Sequence, residues 1–169
     1  MQRRLVHVEL PLHPGWEAIE PLRASVLACV RSVFPHPELA QAIALVTAEL
    51  LENALKFGRW GGGDGLFALR VDGDESRVVI EVSSPVAAGD ENVARLTDEL
   101  TRIAAAPSPE QAYTKAVRAV ALGRSGGLGL ARCAYEGGCD LSADVDGNVL
   151  HVHAVTRAPQ PRRPTPAAP

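Results

Sequence analysis

The chain has 169 residues and a formal net charge of −3 at pH 7. A chain of this length can bury one substantial hydrophobic core, so a single folded domain is expected. The slightly acidic composition gives no basic field for a nucleic acid backbone, and no apolar run reaches the roughly 18 residues of a membrane span. The first residues also lack the apolar stretch of a signal peptide. We therefore expect a cytoplasmic protein that binds neither nucleic acid nor membrane.

The cysteine content indicates reduced thiols, because three cysteines cannot all pair and the chain looks intracellular. Cys133 and Cys139 precede His151 and His153, which raises a metal site as an alternative. The cysteine spacing matches no common zinc motif, and two histidines that are two positions apart merely share one face of a strand. A metal site at these residues is therefore disfavoured.

Hydrophobic periodicity, interrupted by proline and glycine, predicts ten elements along the chain. The predicted strands cover residues 5–10, 66–71, 77–83, 139–144 and 149–155, and the predicted helices cover 15–33, 38–57, 90–106, 110–122 and part of 123–136. This order predicts an α+β fold, a two-layer sandwich whose mostly antiparallel, mixed sheet carries helices on one face. Residues 158–169 are rich in proline and are predicted to form a disordered tail, so the domain covers residues 1–157.

The second predicted helix carries a polar stripe. Glu52, Asn53 and Lys56 follow Glu49 by three, four and seven positions, so all four share one helical face opposite a leucine-rich face. Such a stripe is usually a solvated surface, and Glu52 with Lys56 would make an ordinary i,i+4 ion pair. Asn53 favours a functional face, because asparagine is a mediocre helix former and has no cap to make in mid-helix.

A glycine loop, Gly126-Gly127-Leu128-Gly129-Leu130, leads directly into a predicted helix. Backbone N–H groups at a helix N-terminus form an anion site that needs no side chain. A plain connection between two elements is the alternative interpretation. The earlier glycine run at 61–65 precedes a strand and lacks the Lys-Ser/Thr pair of a P-loop, so it does not indicate phosphate binding.

These two motifs, in this order of strands and helices, resemble the GHKL (Bergerat-fold) ATPase superfamily, which includes histidine kinases and anti-sigma-factor serine kinases. The segment Glu49-Leu-Leu-Glu-Asn-Ala-Leu-Lys56 looks like the N box of that superfamily, and the glycine loop looks like its second glycine box. The resemblance covers residues 5–156 and implies ATP and Mg²⁺ as cofactors. It implies Glu49 as the catalytic base, Asn53 as the metal ligand, and nucleotide contacts from Asn53, Lys56, Ser84, Gly126, Gly127, Leu128, Gly129 and Leu130.

The strand at 77–83 departs from the pattern of the superfamily. An Asp-x-Gly-x-Gly box, whose Asp anchors the adenine amino group, should follow it, but Ser84 stands at the Asp position and both glycines are missing. A hydroxyl still accepts a hydrogen bond, yet losing the charge-assisted contact weakens adenine binding roughly tenfold or more, or abolishes it. Within the superfamily, the chain most resembles the SiaB-like regulators. The features that carry this resemblance are the degenerate box, the Ser-Pro that replaces it and a later helix that contains Tyr113.

The resemblance implies an ATP-binding regulator of the partner-switching type. The leading interpretation is a serine/threonine protein kinase that acts on a partner of the anti-sigma-factor-antagonist type. The alternative is a catalytically inactive GHKL-fold binding module that regulates a partner without nucleotide turnover. Residues 85–122 can form an ATP lid, a partner surface or plain packing. The resemblance also leaves a homodimer as an alternative, because anti-sigma relatives often form dimers.

Overall fold

The structure is a computed structural model that describes residues 4–10, 19–34, 36–60, 66–74, 76–123 and 126–157. The start of the first predicted helix, the glycine run at 61–65, Arg124 and the proline-rich tail at 158–169 lie outside these described residues. The strands are β1 (Arg4–Leu10), β2 (Phe67–Gly73), β3 (Arg77–Pro85), β4 (Cys139–Asp146) and β5 (Val149–Arg157). The helices are α1 (Ile19–Val33), α2 (Pro37–Phe57), α3 (Glu91–Ala104), α4 (Pro109–Ala121) and α5 (Leu128–Tyr135).

The strands form one sheet in the order β1-β2-β3-β5-β4, and all four pairings are antiparallel. The predicted two-layer α+β sandwich is confirmed, and the described strands contain no parallel pair. β3 and β5 are neighbours although three helices separate them along the chain. Their register brings the end of β3 beside the start of β5, where Ser84 pairs with Leu150.

The hydrophobic core lies between the helices and one face of the sheet. On β3, Val78, Ile80 and Val82 are buried, whereas Val79 and Glu81 between them are partly exposed. This alternation is typical of an antiparallel sheet that is covered on one face. The largest fully buried side chains of the helical layer and its connection are Val26, Val30, Phe34, Leu39, Ile43, Val46, Leu50 and Leu51.

Local sequence fixes where three of the helices begin. Pro37 is in the first turn of α2, where its missing N–H has no intrahelical partner to lose. The Asp90 carboxylate accepts the Asn92 backbone N–H at 2.9 Å and caps α3. The Ser108 hydroxyl accepts the Gln111 backbone N–H at 3.2 Å and caps α4. Within the described ranges, no helix is both long enough and apolar enough to cross a membrane.

Candidate functional site

The polar stripe of α2 faces the inside of the fold at Asn53. The Asn53 amide nitrogen Nδ2 is buried and has no hydrogen-bond partner. A buried amide without a partner costs free energy, because folding removes its hydrogen bonds to water and replaces them with nothing. Asn53 also lines a pocket, so its unpartnered group is available to a ligand.

The pocket lies between α2, α3 and the sheet and has mostly apolar walls. Its lining residues are Leu50, Asn53, Ala54, Phe57, Val82, Ser84, Val86, Asn92, Val93, Leu96, Leu150 and Val152. The free space between these walls is about 20 Å³, which holds about one water molecule. A nucleotide base can therefore enter only if a wall moves, and of the helices and strands that line the pocket, α3 belongs to neither the sheet nor the central helix.

Ser84 lies where the missing adenine anchor was expected, on a wall of this pocket. Ser84 is a buried residue, with 3% of its surface exposed. The neighbouring Ser83 points to the opposite, open face of the sheet, where its Oγ lies 2.9 Å from His151 Nδ1. The pocket thus offers a buried hydroxyl in addition to the Asn53 amide.

The glycine loop meets the polar stripe of α2. Gly127 is the N-cap of α5 and has a φ of 82°, a left-handed conformation that glycine adopts without steric strain. A Cβ on Gly129 would stand only 2.6 Å from Glu49 Oε2, so the absence of a side chain at Gly129 makes room for this carboxylate. Leu130 is different, because its side chain is buried in the hydrophobic core. Leu130 and the partly buried Leu128 offer a ligand their backbone groups.

Glu49 forms an ion pair that reaches across the site. Arg132 Nη1 on α5 donates to Glu49 Oε1 at 3.0 Å, and Arg132 Nε donates to Glu136 Oε2 at 3.0 Å. Burial raises the pKa of Glu49 above its usual value, an effect that Arg132 opposes and the negative charge of Glu52 increases. Because the pKa of the carboxyl is raised, Glu49 holds a proton more strongly than an exposed glutamate does.

Glu99 on α3 stands against the glycine loop. A Cβ built on Gly127 would overlap the Glu99 carboxylate, whose Oε2 lies 2.7 Å from that position. The Glu99 side chain is 17% exposed, and Arg102 is its ion-pair partner. Sequence reasoning missed this residue. The signal was present, because Glu99 lies three positions after Leu96 and four before Ile103 and therefore interrupts the apolar stripe of α3.

The sequence offers three cations near these motifs as phosphate partners, Lys56, Arg124 and Arg132, and Lys56 is placed less closely than Asn53. Lys56 Nζ lies 2.7 Å from Glu52 Oε1, as an ordinary i,i+4 pair would, and Lys56 is not among the residues that line the pocket. Arg124 lies outside the described residues. The structure therefore places Glu49 against Gly129 of the glycine loop and Asn53 and Ser84 on the pocket wall. Neither Glu49 nor the glycine loop lines the pocket, and Lys56 stands on the exposed side of α2.

The cysteines and the histidine pair lie on opposite faces of the sheet. Cys139 is buried on the covered face, and its thiol donates to the Cys133 carbonyl at 2.9 Å. His151 and His153 are on the open face, with ring centroids 6.3 Å apart and Glu81 within 3.7 Å of both. Over the part of the chain that the structure describes, no three His, Cys, Asp or Glu side chains are arranged to hold a metal ion.

No protein-family model matches this chain, and a search of curated proteins finds no similar sequence. The resemblance to the GHKL superfamily therefore depends on the motifs and on the geometry described above. The function that follows from them is a proposal.

Proposed function

We propose that this chain is an ATP-dependent serine/threonine protein kinase of the partner-switching type, acting in the cytoplasm on a protein of the anti-sigma-factor-antagonist class. The observation that carries the proposal is the position of Glu49. This carboxylate has a raised pKa, lies against Gly129 of the glycine loop, and stands one helical turn before the unpartnered amide of Asn53. A general base, an anion site and a neutral oxygen donor thus lie side by side.

The residues present fit the phosphate end of a magnesium nucleotide. The Asn53 amide offers an uncharged oxygen, which suits Mg²⁺ beside a triphosphate. Its unpartnered nitrogen is a hydrogen-bond donor, which fits a phosphate oxygen of the ligand and not the metal. The N–H groups of the first turn of α5 offer an anion site. Bound ATP with Mg²⁺ would supply the phosphoryl group that is transferred.

Glu49, Arg132 and Ser84 each have a separate role in the proposed reaction. Glu49 takes the proton from the partner's serine or threonine hydroxyl, and its raised pKa makes it a better proton acceptor than an exposed carboxylate. Arg132, which now pairs with Glu49, keeps that side chain in place at the loop. The apolar walls and the Ser84 hydroxyl receive the base after α3 has moved, with weaker anchoring than an aspartate would give.

A phosphotransfer assay tests the proposal, with labelled ATP, Mg²⁺ and a purified anti-sigma-factor-antagonist protein as substrate. Glu49→Gln and Asn53→Asp are expected to abolish label transfer. Glu52→Gln is the matched control, because Glu52 lies on the same helix but pairs with Lys56 away from the pocket. Its charge contributes to the raised pKa of Glu49, so this variant should keep label transfer at a moderately changed rate and not abolish it. Transfer by Glu49→Gln at the rate of the wild type would contradict the role of Glu49.

A second candidate is a binding module without nucleotide turnover. Two observations favour it, namely the free space of about 20 Å³ and the replacement of the adenine anchor by Ser84. A thermal-shift titration with millimolar Mg·ATP and Mg·ADP separates the two functions. A ligand at a hundred times its Kd adds about 2.7 kcal/mol to the free energy of unfolding, so binding gives a clear rise in Tm. An unchanged Tm at every concentration would favour the binding module.

A further inference from the structure

We infer that Glu99 is a built-in occupant of the phosphate site, and that it clamps α3 over the nucleotide pocket in an autoinhibited form. The inference rests on the proposed nucleotide function, because it assigns the regulation of that same site. It also assigns a role to α3, for which the sequence left a lid, a partner surface and plain packing open.

The Glu99 side chain lies at the glycine loop. Its carboxylate stands against Gly127, the N-cap of α5. Gly126 and Gly127 leave room for an anion to approach the N–H groups of the first turn, and a carboxylate and a phosphate are both anions that such a terminus attracts. Two negative groups cannot share this space, so a nucleotide phosphate has to displace Glu99.

The same helix also closes the pocket. Leu96 and Val93, about one and two turns before Glu99, form part of the pocket wall. The contact of Glu99 with Gly127 is one of the contacts that hold α3 against the site, so its loss leaves the side of α3 that carries Val93 and Leu96 free to move away from the pocket. Displacement of the carboxylate therefore links the opening of the phosphate site to the opening of the space for the base.

Because α3 is loosely packed, its movement requires little free energy. None of its residues is fully buried, whereas α2 buries nine of its residues. The contacts that hold α3 to the core come from four partly buried side chains: Val93, Leu96, Leu100 and Ile103. Segments with few buried apolar contacts open locally at low free-energy cost, as active-site lids do.

The consequence for affinity follows from population shift. A ligand that binds only the open form has its Kd raised by the inverse of the open fraction. If about a tenth of the molecules are open, removal of the clamp raises nucleotide affinity about tenfold. Anything that draws Glu99 away from the loop, such as a partner that pairs with its carboxylate, acts in the same direction.

The test compares Glu99→Ala with Glu91→Ala. Glu91 lies on the same helix and pairs with Arg95, but its side chain is 87% exposed, so the control reproduces the change in charge and helix propensity without the loop contact. Hydrogen exchange of the α3 backbone amides is measured first, without nucleotide. We expect several-fold faster exchange in Glu99→Ala and wild-type rates in Glu91→Ala. Glu99→Gln, which keeps the side-chain volume, should lie between them.

Titration with Mg·ADP is the second readout, and we expect about tenfold tighter binding by Glu99→Ala. Equal exchange and equal affinity in the Glu99 and Glu91 variants would overturn the clamp. If α3 exchanges faster in Glu99→Ala but neither protein binds Mg·ADP, the clamp is supported and the proposed nucleotide function is contradicted. The two readouts therefore separate failure of the clamp from failure of the kinase.

Discussion

Arg132 Nη1 lies 3.0 Å from Glu49 Oε1, and this ion pair joins α5 to α2 across 83 positions of the chain. The same guanidinium also binds Glu136, so one cation serves two carboxylates. Burial nevertheless raises the pKa of Glu49, so loss of solvation outweighs the attraction of Arg132. The pair positions Glu49 without fully stabilising its charge, as a group that accepts protons requires.

The raised pKa of Glu49 predicts a pH dependence of stability. A carboxyl whose pKa is higher in the folded state binds its proton more tightly there. It therefore stabilises the fold fully below its unfolded value of 4.5, and this stabilisation is lost as the pH rises through the raised folded value. We therefore expect the free energy of unfolding of the wild type, relative to that of Glu49→Gln, to decrease as the pH rises from 4.5 through the raised pKa of Glu49.

Urea unfolding at a series of pH values measures this difference. Glu110→Gln is the control, because Glu110 is an exposed glutamate in the first turn of α4 and does not contribute to the pKa shift of Glu49. The control should follow the wild type in its pH dependence. Parallel curves for the wild type and Glu49→Gln would show that Glu49 titrates at its ordinary value.

Two buried polar atoms without partners predict gains in stability. Asn53 Nδ2 and Thr47 Oγ1 both lie in α2 and are both buried without a hydrogen bond. Asn53→Leu and Thr47→Val should each raise the free energy of unfolding by about 1 kcal/mol, because an unsatisfied group is replaced by an apolar one. Only Asn53 lines the pocket, so only Asn53→Leu should abolish Mg·ADP binding. Loss of binding in Thr47→Val would show that the effect is not specific to the pocket.

The order of elements was predictable because it depends on local signals. Proline residues and glycine runs end the elements, and the alternation of Val78, Ile80 and Val82 identifies β3 from its sequence alone. The polar face of α2 was also visible, and Asn53 distinguished it from an ordinary solvated face, since this residue has no local reason to stand in mid-helix. These features depend on residues a few positions apart, where the spacing fixes the geometry.

The contacts that define the site were not predictable, because they join distant segments. The pairing of Arg132 with Glu49 and the contact of Glu99 with Gly127 depend on how α3 and α5 pack onto α2. The i,i+4 spacing did predict the ion pair of Lys56 with Glu52, whose atoms Nζ and Oε1 lie 2.7 Å apart. The nucleotide contact that the resemblance implies for Lys56 stays a prediction.

The three thiols should differ in reactivity. Cys29 is exposed, whereas Cys133 and Cys139 are buried. Burial raises the pKa of Cys139 to about 12 and raises that of Cys133 as well. Since the thiolate is the reactive species, iodoacetamide should modify Cys29 alone in the folded protein. Mass spectrometry of the intact protein checks this, and unfolding in urea should expose all three thiols. A second adduct on the folded protein would contradict the burial of Cys133 and Cys139.

Ser84→Asp should strengthen adenine binding. Ser84 is buried on the pocket wall, where the resemblance implies an aspartate that accepts a hydrogen bond from the adenine amino group. A charge-assisted bond in place of a neutral one is expected to raise Mg·ADP affinity about tenfold. Mg·GDP should gain nothing, because guanine presents a carbonyl where adenine presents its amino group. The ligand-free variant should be less stable, since the new carboxylate loses its hydration.

Ser83→Asp is the matched control for this substitution. Ser83 is the adjacent residue on β3, but it faces the open side of the sheet and contacts His151. The same charge placed there should leave the affinity for Mg·ADP unchanged. Calorimetric titration of both variants with both nucleotides gives the comparison. Equal gains in the two variants would point to a general effect of charge, and no gain in Ser84→Asp would show that the base does not bind against this wall.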